Sequence, residues 1–207
     1  MTQITINNEV INAKIESSES INEALDFILA DSAREEEVIA NVTLNGKDLP
    51  LEIDDKVLDE PISNYDTIDF TLKTSLELAY EALDSSNAYI DLIIDKIHAL
   101  TDLYQENKIE EANLKFGEAI EIIDMFVQLI SRIYKTLRKD QAQGFNKADT
   151  IQNLEIHLLS ILKALVPAKE KEDIIMLCDL LEYELIDNLT QWKIKAVPEL
   201  KRQKQAI

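Results

Sequence analysis

Hydrophobic and polar positions along this chain keep two different periods, and the change falls near Ser75. Before it the period is 2, with Ile4 and Ile6 on one face of a first strand and a second β-like run, Val10 to Ile15, after the turn signal Asn7-Asn8. Ser20 then stands three residues before Glu23, a capping-box pair ahead of INEALDFILADSARE, in which Ile21, Leu25, Ile28 and Leu29 share one helical face. In VIANVTL, Val38, Ala40, Val42 and Leu44 alternate with Ile39, Asn41 and Thr43, and Asn45-Gly46 closes the strand as a hairpin turn. An acidic, irregular link from Pro50 to Asn64 leads to Thr67–Lys73, where Ile68, Phe70 and Leu72 alternate with Asp69, Thr71 and Lys73.

Past Ser75 the period lengthens to between 3.5 and 3.6. Leu76, Leu83, Ile90, Ile97 and Tyr104 recur at sevens, with Tyr80, Ile94 and Thr101 on an interleaved seam, so a helix is expected over 75–105, about 45 Å long. The short link QENK makes the next helix, 108–138, an antiparallel neighbour. It carries Ile109, Phe116, Ile123, Ile130 and Leu137 at heptad spacing, and Ala112, Ala119, Phe126 and Ile133 beside them. Its stretch Ala119–Tyr134 is apolar around most of the helix, so other helices must cover it. Gly117 within it is read as a point of close helix packing.

KDQAQGFNKAD is a polar loop, after which Asp149 or Thr150 caps a third helix with the stripe Ile151, Leu154, Leu158, Ile161, Leu162 and Leu165. Pro167 is expected to interrupt it. A fourth helix carries Ile174, Ile175, Leu177, Leu181, Leu185, Leu189 and Trp192, is expected to end at Pro198, and leaves ELKRQKQAI as a basic, frayed tail. The fold class is therefore α+β, a β-grasp-like domain over 1–74 followed by an antiparallel four-helix bundle over 75–207.

The order strand, strand, helix, strand, strand, the turn LNGKDL at 44–49, the link KVLDEPISNY and the closing strand TIDFTLK together resemble the ubiquitin-like β-grasp family over residues 2–74. The resemblance implies a small sheet packed on one helix. Ubiquitin-like modifiers and sulfur carriers end on an exposed Gly-Gly, whereas Lys73-Thr74-Ser75 runs straight into a helix and no glycine lies between Gly46 and Gly117. Conjugation and thiocarboxylate chemistry are not expected. The family's usual apolar receptor patch would fall on Thr43 and Thr71, a polar sheet face.

Charge narrows the partners. The 207 residues hold 21 Lys+Arg against 40 Asp+Glu, a net charge of −19, which repels nucleic-acid backbones and anionic lipid. Residues 1–75 carry 17 acidic and 5 basic side chains, net −12, and 76–207 the remaining 23 and 16, net −7. The single Cys178 excludes an intramolecular disulfide, the N-terminus lacks the pattern of a signal peptide, and no apolar run is long enough to span a membrane. A cytoplasmic protein is expected, with neither nucleic acid nor membrane insertion.

No catalytic or cofactor motif stands out: Cys178 lies on an apolar helix stretch, and the three glycines are isolated from one another. The metal candidates are Asp91, Asp95 and His98, with Asp102 on the same helix face, close to the Glu-x-x-His pattern of carboxylate-bridged di-iron bundles. They lie off the apolar seam, where a solvated stripe is the simpler reading. Tyr183, Leu185, Leu189 and Trp192 could form a docking ridge for a partner helix, or belong to the core. Small size, acidity and leucine-rich helices resemble, in composition, the export chaperones of flagellar and related secretion systems. The expected function is a non-enzymatic protein-binding adaptor or chaperone-like accessory protein without cofactors. The alternatives are a metal- or small-molecule-binding bundle enzyme and a self-associating structural protein or homodimer.

Overall fold

The two Asn turns of the head set its sheet. In the computed structural model, which describes residues 2–11, 19–34, 36–49, 55–140 and 149–204, Asn7 and Asn8 both take left-handed backbone conformations (φ 51° and 65°) between β1 (Gln3–Ile6) and β2 (Glu9–Val10). Asn45 and Gly46 (φ 49° and 77°) do the same between β3 (Glu37–Leu44) and β4 (Lys47–Asp48), the paired positive φ of a type I′ hairpin turn. Asn45 also accepts from the backbone N–H of Asp66 at 2.8 Å and Thr67 at 3.0 Å, tying the turn to the start of β5 (Thr67–Thr74). Most of the expected Val10–Ile15 strand, together with Glu35, Pro50–Asp54 and most of the KDQAQGFNKAD loop, lies outside the described residues.

The strand order is β2-β1-β5-β3-β4, with β1 parallel to β5 and the other pairs antiparallel. This is β-grasp topology. Helix α1 (Ile21–Asp31) crosses one face and buries Ile21, Ala24 and Ile28 against Val42, Leu44, Ile68, Phe70 and Leu72. Each large side chain so buried contributes roughly 1.5–3 kcal/mol. The link to β5 is not wholly irregular: it holds a helical turn α2 (Asp55–Leu58) and a 3₁₀ turn (Ile62–Asn64).

The Ser20 capping box forms as expected. Its hydroxyl accepts from the Glu23 N–H at 3.2 Å, and the Glu23 carboxylate accepts from the Ser20 N–H at 2.8 Å. Ser20→Ala is expected to destabilise the head by about 1 kcal/mol, read from the midpoint of its urea unfolding. The helix closes at Asp31, ahead of the acidic run, so it is shorter than INEALDFILADSARE suggests.

A bulge breaks the expected alternation of β3. Ile39 pairs with Leu72 and Asn41 with Thr71, so Ala40 is the extra residue. Ile39 therefore packs toward the core and Val38 turns outward, the reverse of strict alternation. The outer face keeps Thr5, Asn41, Thr43, Asp69 and Thr71, knit by Thr43 and Asn41 donating to Asp48 (2.8 and 2.7 Å) and Thr5 donating to Asp69.

The helical unit is built from four long segments: α3 (Ser75–Gln105), α4 (Ile109–Asp140), α5 (Asp149–Glu170) and a last helical run from Ile174 to Lys204. Neighbours in the ring are antiparallel. Tyr89 reaches Ile122 and Tyr104 reaches Asn113 between α3 and α4, while Gln105–Glu182, Asp91–Lys193 and Asp84–Lys201 join α3 to the last run. His157 and Leu154 of α5 meet Glu184 and Asn188.

The last run is α6 (Ile174–Asp179), a π-helical stretch Leu180–Leu185, α7 (Ile186–Gln191), a second π stretch Trp192–Ala196, and α8 (Val197–Lys204). Two proline expectations fail. Helix α5 passes through Pro167 to Glu170, and the last run passes through Pro198 to Lys204. At Pro198 the preceding π stretch has already replaced the i−4 bonding that the proline ring would obstruct.

The core of α3 also sits one position from the expected second seam. Ala79, Ser86, Ile93 and Leu100 are buried with Leu83, Ile90, Ile97 and Tyr104, and Ile94 is only half-buried. Gly117 is exposed, and a Cβ there would meet nothing within 4 Å, so it is not a close-packing point. Among the described residues no helix is long and apolar enough to cross a membrane.

Candidate functional site

Helices α4 and α5 leave a furrow between them. Phe116, Ile120, Ile123 and Val127 form one wall and Leu159, Leu162, Leu165 and Val166 the other, enclosing about 380 Å³. A second hollow of about 260 Å³ shares Val127 and Leu159 and adds Phe126, Ile130, Ser131, Leu158 and Trp192. Along α4 the furrow runs from Phe116 to Ser131, about 22 Å or four helical turns. Its lip is apolar as well, since Leu159 is 51% and Val166 56% exposed.

Lys169 closes one end. Its ammonium donates to the Tyr104 hydroxyl at 3.1 Å and to the Asn113 side-chain oxygen, and stands 5.2 Å from the Phe116 ring centroid and 5.6 Å from that of Tyr104. Burial lowers its pKa. The same burial, with the Cys178 sulfur nearby, pushes the Tyr104 hydroxyl up to about 12. The arrangement pins α3, α4 and α5 together at the furrow's end through neutral acceptors and aromatic faces. At the other end the Trp192 indole N–H is buried and has no hydrogen-bond partner among the described residues.

The sequence-derived candidates fall elsewhere. Leu185 and Leu189 are 0% and Trp192 1% exposed, with Trp192 edge-on to Phe126 at 5.9 Å, so these three belong to the core and form no ridge. Tyr183 alone of that set is exposed, at 70%. Leucines four apart drift about 40° per step around an α-helix. The π stretches widen the turn and keep them inward, so the spacing records core packing. Asp91 is held by Lys193 at 2.6 and 2.7 Å, Asp95 and His98 point to solvent, and no group of three metal-ligating side chains assembles among the described residues. The basic tail is helical: Lys193 and Lys201 lie against Asp91 and Asp84 of α3, exposed pairs worth at most about 1 kcal/mol each.

Cys178 is half-buried, and burial first, then Glu182 and Asp179, pushes its thiol pKa up, the opposite of an activated nucleophile. One polar constellation had no sequence signal. Asn188, fully buried, donates to the Leu154 carbonyl and to His157 Nδ1 (both 3.1 Å), which leaves His157 Nε2 to donate to Glu184 at 3.3 Å. The pairing is tertiary, between residues 27 to 34 positions apart. The furrow was equally silent, because its wall residues read as ordinary core positions.

Residues 81–195, which contain both walls of the furrow, match the family described as "Domain of unknown function (DUF8042)". The chain belongs to the DUF8042 family. Its head, residues 2–74, matches a second pattern described as "TP0873 N-terminal domain". An "Uncharacterized protein" of Treponema pallidum (strain Nichols) is 23% identical over 187 residues, covering 88% of this chain and 90% of that relative. No solved structure matches. In this DUF8042 member the matched segment spans α3 to the second π stretch apart from their outer ends, so furrow, Lys169 anchor and His157 constellation all lie inside it.

Proposed function

We propose that this protein is a non-enzymatic, cytoplasmic binding protein, an adaptor or chaperone-like accessory, whose helical unit holds an amphipathic helix of another protein in the α4–α5 furrow. The observation that carries the reading is the furrow itself: four turns long, apolar in wall and lip, as a helix-in-groove site requires. The unpartnered Trp192 N–H at its floor supports it, since a bound chain can offer the missing acceptor.

The head supports an accessory role of a different kind. Its β-grasp topology favours the ubiquitin-like relationship, yet Thr74 caps α3 through reciprocal bonds with Glu77 (2.8 and 3.1 Å), so the closing strand passes directly into helix. A chain continuing in this way offers no free tail for conjugation.

The test places a photo-crosslinking residue at Leu159 or at Tyr183 in the native cell. Leu159 should yield a discrete adduct with one partner and Tyr183 none. Leu159→Asp should weaken that association at least 30-fold with little change in the unfolding midpoint, as for a central interface residue. Adducts from Tyr183 alone, or an association indifferent to Leu159→Asp, overturn the reading.

A further inference from the structure

We propose a second docking site in the head: the outer edge of β3 and the neighbouring face of α1 take up an extended, basic peptide as an added strand. β3 is eight residues long, but β4 pairs only with Thr43 and Leu44, and Leu49 adds one bond from its N–H to the Val42 carbonyl at 2.9 Å. From Val38 to Asn41 no described strand covers the side away from β5. A row of strand N–H and C=O groups in that state is satisfied by another extended backbone, and by few other ligands.

The edge also lacks the usual guards, since neither lysine nor proline stands between Val38 and Leu44. The Ala40 bulge turns Val38 outward, where it lies beside a hollow of about 540 Å³ whose far wall is Leu25, Asp26 and Leu29 of α1. Leu29 and Val38 are both exposed, so a strand laid here would cover apolar side chains while its backbone pairs with β3.

Charge selects the occupant. Helix α1 carries Glu23, Asp26 and Asp31 and no basic residue. Asp26, in the wall of the hollow, makes no hydrogen bond or ion pair among the described residues, while Arg34, before β3, is paired with Glu37. A strand bearing lysines or arginines at alternate positions meets this wall, and an acidic strand is repelled.

The experiment uses the full chain with an acetylated, amidated heptapeptide of alternating lysine and valine, its valine-glutamate counterpart, and a version N-methylated on one backbone edge. Bound lysine peptide should slow amide hydrogen exchange at least tenfold within Val38–Val42 and leave α4 and α5 unaffected. The glutamate and N-methylated peptides should bind at least tenfold more weakly, and Asp26→Lys should weaken the lysine peptide by a similar factor in a chain that still folds. Equal binding of the lysine and glutamate peptides, or no protection within Val38–Val42, overturns the proposal. Concentration-dependent protection without peptide, with a dimer mass by light scattering, also overturns it by assigning the edge to a second copy. Failure at this edge leaves the α4–α5 furrow untouched, because its own test reads Leu159.

Discussion

Phe70→Ala is expected to unfold the head while the helical unit stays folded. Phe70 is fully buried in β5, the strand that pairs with both β1 and β3, where it lies level with Ile6 and Val42 and beneath α1. Truncating such a ring costs about 3–5 kcal/mol in lost transfer energy and cavity formation. A head of this size holds roughly 4–11 kcal/mol in total, so one substitution removes a large share of it. Two signals separate the outcomes. Amide exchange in β5 should accelerate by two to three orders of magnitude, whereas the fluorescence transition of Trp192, the sole tryptophan and a residue of the helical unit, should keep its denaturant midpoint. A Trp192 midpoint that moved together with β5 exchange would show one cooperative unit in place of two.

Trp192→Ala is the matching experiment on the helices. The indole packs edge-on against Phe126, which in turn lies 6.3 Å from Tyr89, so one aromatic chain links the last helical run to α4 and α3. The expected loss is again about 3–5 kcal/mol, read as a fall of roughly 10–20 °C in the helical melting transition followed by circular dichroism. Tyr183→Ala, on the exposed side of the same run, should stay within about 0.5 kcal/mol. If both substitutions cost the same small amount, Trp192 is a surface residue and the furrow loses its floor.

What the chain disclosed before folding, and what it withheld, divides by the range of the interaction. Ser20 with Glu23, Asn45 with Gly46, and the seven-residue spacing from Leu83 to Tyr104 act within one turn or one helix, and each forms as its local chemistry requires. Strict alternation misplaced Val38 and Ile39 because a bulge is a decision of the pairing strand, with no marker in VIANVTL itself. Pro167 and Pro198 looked like stops because the local rule is sound, yet packing along the helix outweighed it. The run Leu177, Leu181, Leu185, Leu189 did hold its own answer: a spacing of four is too long for an α-helical face and suits a wider turn. The furrow and the His157–Asn188–Glu184 set depend on where α4, α5 and the last run meet, and no single segment encodes that meeting.

Each π stretch houses one residue beyond what a tighter coil would hold, so the final rod stores slack at two places. Deletion of one codon between Trp192 and Ala196 can then be absorbed by tightening, without a break, but it swings everything beyond by about 100°. Lys201 would leave Asp84, and a different set of side chains would face inward. The rod thus tolerates changes in length better than it tolerates changes in phase, and drift in this gene should leave its mark there as paired gains and losses that restore the original facing.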